Sequence, residues 1–245
     1  MMIIDLSFEY IVALIILVSM LTQLLFGVGV LLWGTPSLIL LGYEFTTALS
    51  LLLPISLGIS GLQVGKNSQH INKKEIWGFI KLSLPLVVFG LIAVIKLDIN
   101  VEWFVFGALG VGGLLRLTTF KILSDRVVNF KDFMLPVIGI VHGISNLGGA
   151  LLVIWASQIN KTKLGLRSTV AACYLLLALF QIVTLMIYID ELTVFLSYFV
   201  FGIVLYVILD KFILSSIKDD VFDILLTIAI FSMAFLIGLR AASVI

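Results

Sequence analysis

Long apolar runs follow one another along the chain, at residues 10–26, 28–41, 45–64, 76–95, 101–120, 133–146, 148–159, 168–188, 192–210 and 221–240, and most of the charge lies in the short connections between them. A helix rises about 1.5 Å per residue, so about 20 apolar residues cross the roughly 30 Å hydrocarbon core of a bilayer. Several runs reach that length. A soluble fold is excluded by composition: 62% of the 245 residues are hydrophobic and 12% charged, against about half and about a quarter in soluble domains. With a formal net charge of +1 and lysines scattered at the run boundaries, there is no basic face for a nucleic acid. The single Cys173 rules out an intramolecular disulfide and a thiolate metal cluster, and reads as a small buried apolar residue.

Runs 28–41 and 148–159 are too short to cross, reaching only roughly 20 Å as helices. Each follows an interruption that contains glycine. Residues 130–160 read FKDFMLPVIGIVHGISNLGGALLVIWASQIN, with His142, Gly143, Ser145, Asn146, Gly148 and Gly149 in the middle of apolar sequence. Residues 10–41 carry Ser19, Thr22, Gln23, Gly27 and Gly29 before Trp33, Thr35 and Pro36. Polar and helix-breaking residues at membrane depth are tolerated where the irregular backbone lines a protein-walled or watery cavity. Both segments therefore read as re-entrant hairpins whose second arm is a half-helix. They superpose at an offset of 120 residues, which places Gly29 on Gly149, Leu31 on Leu151, Leu32 on Leu152, Ser37 on Ser157 and Thr22 on His142.

Lysine and arginine accumulate on the cytoplasmic side of a membrane protein, while acidic residues count for little. The connections with Lys66, Lys73 and Lys74, with Arg116, Lys121, Arg126 and Lys131, with Lys161, Lys163 and Arg167, and with Lys211 and Lys218 are expected inside. The N-terminus, the Asp98–Glu102 region and the Asp190–Glu191 region are acidic and expected outside. The N-terminus lacks the basic region of a cleaved signal peptide, so the first span is expected to remain in the mature protein. The plan that satisfies the charges is an all-α polytopic membrane protein with six full spans and two hairpins, both termini outside the cell membrane. Residues 1–125 form the first repeat, with hairpin 10–41 and helices 45–64, 76–95 and 101–120. Residues 126–245 form the second, with hairpin 133–159 and helices 168–188, 192–210 and 221–240. An odd number of crossings per repeat inverts one against the other, an architecture of secondary transporters that places the substrate at the midplane.

The segments Gly27-Val28-Gly29-Val30-Leu31-Leu32 with Pro36, and Asn146-Leu147-Gly148-Gly149-Ala150-Leu151-Leu152, resemble the two glycine-rich signatures of the sulfite exporter TauE/SafE family. Thr46-Thr47-Ala48-Leu49-Ser50 and Arg167-Ser168-Thr169-Val170-Ala171 fall where that family has paired small, Ser/Thr-bearing segments. Length, duplication and hydropathy plan are similar over nearly the whole chain. The resemblance implies a permease for small sulfur-containing or organic anions, such as sulfite or sulfonates. The chain departs from the family in its thinned glycine runs and in the polarity of His142, Ser145 and Asn146.

The candidate binding residues are Thr22, Gln23, Gly27, Gly29, His142, Ser145, Asn146, Gly148 and Gly149. Helix N-termini beginning after Gly29 and Gly149 expose unpaired N–H donors carrying about half a positive charge, and glycine lets an anion approach that backbone. The alternative is that these glycines serve close helix packing. Thr22, Gln23, Ser145 and Asn146 are either ligand donors or interhelical hydrogen-bonding groups. His142 is either a donor or proton-linked switch, or a neutral packing residue. Arg167 either recruits or binds the anion with its planar fork or is an interfacial cation; Arg116 reads as an interfacial cation, and Trp33 and Trp155 as packing or as cavity wall. A catalytic nucleophile needs a base oriented by a third group, and no deep carboxylate is available, so an enzyme is not expected; nor is a metal or other cofactor. The expected partners are a small anion and the lipid bilayer, and a homo-oligomer is compatible with the plan. An anion channel on the same fold, or a non-transporting scaffold or accessory subunit, are the competing readings.

Overall fold

The computed structural model describes residues 6–26, 29–97, 99–122, 131–189, 196–213 and 231–242. These form α1 (Leu6–Phe26), α2 (Val30–Leu40), α3 (Phe45–Asn67) with a 3₁₀ turn at Ser68–His70, α4 (Lys73–Leu82), α5 (Leu84–Leu97), α6 (Val101–Ile122), α7 (Lys131–Ser145), α8 (Gly149–Ile159), α9 (Lys163–Tyr188) and α10 (Leu196–Ile213). A further helix, α11, covers Phe231–Ala241. Among the described residues there is no strand. Three stretches, Phe45–His70, Lys73–Leu97 and Leu164–Tyr188, are long and apolar enough to cross a membrane. The expected spans at 192–210 and 221–240 lie partly outside the described residues.

The expected helix breaks fall where glycine and asparagine place them. Within the expected short runs, Val30–Leu40 and Gly149–Ile159 form the 11-residue helices α2 and α8. The turn into α8 is made by Asn146, a non-glycine residue at φ +61°, a conformation asparagine adopts more readily than most. α2 ends in a Schellman arrangement: Gly42, at φ +91°, donates to the Ile39 carbonyl (2.9 Å), and Tyr43 donates to that of Leu38 (3.0 Å). α4 and α9 begin with side-chain caps, Asn72 accepting from the Glu75 N–H (3.4 Å) and Thr162 from that of Gly165 (3.1 Å).

The span expected at 76–95 is divided at Ser83 into α4 and α5. Pro85 has no N–H to offer the Lys81 carbonyl and its ring crowds that turn, so the helix is interrupted just ahead of it. The Ser83 hydroxyl donates to the Leu135 carbonyl of α7 (2.7 Å). Below that bond the two backbones touch. A Cβ at Gly139 would lie 2.5 Å from the Ser83 carbonyl oxygen, and one at Gly143 would lie 2.6 Å from that of Val87. Gly143 thus serves close packing of α7 on α5. Ser83→Ala removes one buried interhelical bond and leaves a carbonyl short of a donor, so unfolding in mixed micelles should require about 1 kcal/mol less. An unchanged unfolding free energy would show that the bond contributes nothing.

α3 and α9, each the helix that follows a hairpin, make the most extensive contact in the structure. Both helices are deeply buried: Ala48, Leu49, Leu52, Ile55 and Ile59 of α3 and Val170, Cys173, Tyr174, Leu177 and Ala178 of α9 are essentially without exposed surface. α10 packs on α1 and α3, and α7 on α5 and α6.

Candidate functional site

The second hairpin builds its tip from local bonds. Ser145 Oγ donates to the Val141 carbonyl (2.7 Å) and accepts from the Leu147 N–H (3.3 Å). Those two bonds hold Ser145 within its own turn. Gly148 lies against α7, where a Cβ would come within 2.7 Å of His142 Cβ. Asn146 reaches out of the hairpin: its Nδ2 donates to Thr35 Oγ1 in the middle of α2 (2.9 Å). The two glycine-broken hairpins therefore meet directly through side chains 111 residues apart.

At the first hairpin, Gly29 is enclosed by α1. A Cβ there would collide with the Gln23 backbone N, the Thr22 hydroxyl and the Ser19 carbonyl. Thr22 Oγ1 donates to the Ser19 carbonyl (2.8 Å). Gln23 Oε1 accepts from the Val30 N–H (3.4 Å), the first donor of α2, and its Nε2 donates to Gln63 Oε1 (3.5 Å). The N-terminus of α2 thus already has a protein acceptor. Gly27 lies outside the described residues.

The N-terminus of α8 is different. The Tyr174 hydroxyl, from near the middle of α9, occupies the space that a Cβ on Gly149 would take. The His142 ring meets Tyr174 edge-on at 6.0 Å between centroids, and Gln181, two turns further along α9, adjoins His142. All three side chains are buried, His142 and Gln181 completely. Among the described residues no well-formed hydrogen bond reaches either ring nitrogen of His142, the Tyr174 hydroxyl, either amide atom of Gln181 or Asn146 Oδ1. Leaving such a group unpaired costs about 1–3 kcal/mol. Buried polar groups without a well-formed partner are uncommon in folded proteins, and His142 and Tyr174 bring theirs together beside the start of α8.

Of the residues expected at the site, His142, Asn146 and Gly149 gather here. Thr22, Gln23 and Gly29 gather at the start of α2, and Ser145 and Gly148 support the turn. Tyr174 and Gln181 are new members. Their signal in the sequence is their register: Tyr174, Gln181 and Thr184 recur at helical spacing on the face of α9 that carries Val170, Leu177 and Ala178. Among the described residues, none of the buried polar side chains is a lysine, arginine, aspartate or glutamate. Among the described residues no group of three or more His, Cys, Asp or Glu is placed to hold a metal.

A cavity of about 770 Å³ opens at one end of the bundle, lined among others by Glu44, Thr46, Asn100, Glu102, Ile189 and Arg240. Residues 42–46, 99–102, Ile189 and Arg240 thus share one end. Lys66 and Asp210 pair at the opposite end of α3.

Comparison of the chain with family models, with curated proteins and with solved structures gave no match. The described chain is helical, with three helices of membrane-crossing length and apolarity.

Proposed function

We propose that this chain is a multi-pass membrane permease of two inverted repeats that carries a small anion, bound where α8 begins. One observation carries the reading: the Tyr174 hydroxyl lies against the N-terminus of α8 beside the buried polar side chains of His142 and Gln181. A helix N-terminus favours negative charge, and tyrosine, amide and imidazole groups can all donate to an oxyanion. Neutral donors let the anion leave again on the far side, as a carrier requires. The pairing of two glycine-broken hairpins through Asn146 and Thr35 supports placing that site between the repeats. The resemblance of residues 27–32 and 146–152 to the TauE/SafE signatures favours sulfite, a sulfonate or a related organic anion as substrate.

Thermal stability of the detergent-purified protein against sulfite, thiosulfate, sulfoacetate, taurine, sulfate and small carboxylates tests this directly. A ligand at 100 times its dissociation constant stabilises the folded state by about 2.7 kcal/mol. We expect one anion class to do so, and Tyr174→Phe to reduce its affinity about tenfold or more, the size of one lost hydrogen bond to a charged group. In proteoliposomes the flux of that anion should saturate and show counterflow, which a channel would not. No response to any anion would remove the permease reading in favour of a scaffold or accessory subunit.

A further inference from the structure

Among the described residues, two ion pairs join the chain before position 125 to the chain after it, at opposite ends of α3. Arg240 Nε donates to Glu102 Oε1 (2.7 Å), with side chains 32% and 24% exposed, on the wall of the cavity that also contains Glu44 and Phe45 at the start of α3. Lys66, near the end of α3, pairs with Asp210 of α10, with side chains 59% and 16% exposed. Phe45 and Lys66 are separated by nearly the full length of α3, which at about 1.5 Å per residue is roughly 30 Å, the thickness of a bilayer core.

Both pairs are connected to the same short helix. Arg240 Nη1 also donates to the Leu40 carbonyl (3.3 Å), the last residue of α2. At the other end, Asp210 adjoins Tyr206, Tyr206 adjoins Gln63, and Gln63 accepts from Gln23, which holds the first N–H of α2. α2 is therefore tethered at its C-terminus to one ion pair and at its N-terminus, through a line of polar side chains, to the other. Thr35, between the two tethers, receives Asn146 from the second hairpin.

We infer that α2 is the moving gate of the protein, and that Glu102–Arg240 and Lys66–Asp210 are its two latches, released one at a time; the structure, with both closed, is the occluded state. This rests on the permease reading for the purpose the motion serves. Opening the Glu102–Arg240 pair frees the C-terminal end of α2 towards the cavity. Opening Lys66–Asp210 frees Tyr206, Gln63 and Gln23, and with them the N-terminal end. A bistable element of this kind responds to the loss of either latch by shifting its population in opposite directions.

The test uses the full-length chain in liposomes with Thr46→Cys, on the cavity wall, as a reporter for a membrane-impermeant thiol reagent; the native Cys173 is buried. Glu102→Gln should raise the labelling rate and Asp210→Asn should lower it, each by roughly threefold, the size expected when a partly exposed ion pair is lost from one of two states. The charge exchange Lys66→Asp with Asp210→Lys should restore the original rate, which separates a latch from a fold defect. Changes of the same sign, or no change in properly folded variants, would overturn the inference. Opposite shifts without a response to any anion would keep the two latches while removing the permease reading. A clear anion response with identical labelling in all variants would remove the latches alone.

Discussion

Gly149→Ala is expected to destabilise the protein by about 3 kcal/mol, and most of that loss is expected to vanish when Tyr174 is already phenylalanine. The added methyl would overlap the Tyr174 hydroxyl, whereas the nearest ring carbon lies 3.1 Å away, a tight contact that small shifts relieve. Overpacking a buried site typically costs 1–3 kcal/mol because neighbours are forced off their rotamers, and here the neighbour is a buried ring set edge-on to His142. In the Tyr174→Phe background the same methyl should cost about 1 kcal/mol, giving a coupling of about 2 kcal/mol in a double-mutant cycle. Unfolding of the four proteins in mixed micelles measures it. Additive losses would mean that the hydroxyl does not lie over the start of α8, and the proposed anion site would lose its central donor. Larger residues at Gly149 should abolish anion binding in variants that still insert.

The second large effect is expected at Asn146, where conformation and bonding can be separated by the choice of substitution. Asn146→Val should cost about 3–4 kcal/mol. A β-branched residue is strained at positive φ by about 1–2 kcal/mol, and Thr35 would lose its partner in a buried setting at about 1–3 kcal/mol more. Asn146→Gly keeps the turn and loses only the bond, so about 1–2 kcal/mol is expected. Thr35→Val should cost about the same, and the Asn146→Gly, Thr35→Val pair less than the sum. If Asn146→Gly proved as damaging as Asn146→Val, the side chain and not the backbone would govern the turn. If Thr35→Val were silent, the contact between the hairpins would have no energetic weight.

Much of the hairpin design was legible because it follows from length alone. A run too short to cross a bilayer, placed after glycine, has few options, and Val30–Leu40 and Gly149–Ile159 fold as the short helices α2 and α8. Asn146 could be singled out because an amide inside an apolar run has to be accounted for. Its partner could not. Thr35 lies 111 residues away, and nothing in either local pattern carries that separation. Tyr174 was obscured for a related reason: a tyrosine on the apolar face of a long helix looks like packing until the helix it faces is known. Gly143 looked like part of the polar interruption, and became a packing residue once Val87 stood opposite. The interruption at Ser83 is the exception, since Pro85 signals it locally by removing a donor from the preceding turn. Apolarity over 76–95 masked a signal that was present.

The contact of α5 with α7 through Gly139 and Gly143 bears on how such a chain is assembled. Position 125 divides the sequence by pattern, yet α3 rests on α9, α5 on α7 and α9, and α10 on α1 and α3. Among the described residues, the contacts that cross the division outweigh those within either half. Inserted first, α5 has a backbone groove shaped for α7 and no helix to fill it until the later half emerges from synthesis. A chain of this kind thus has a single core, and its parts before and after position 125, even if supplied as separate polypeptides, would be complementary fragments of one body.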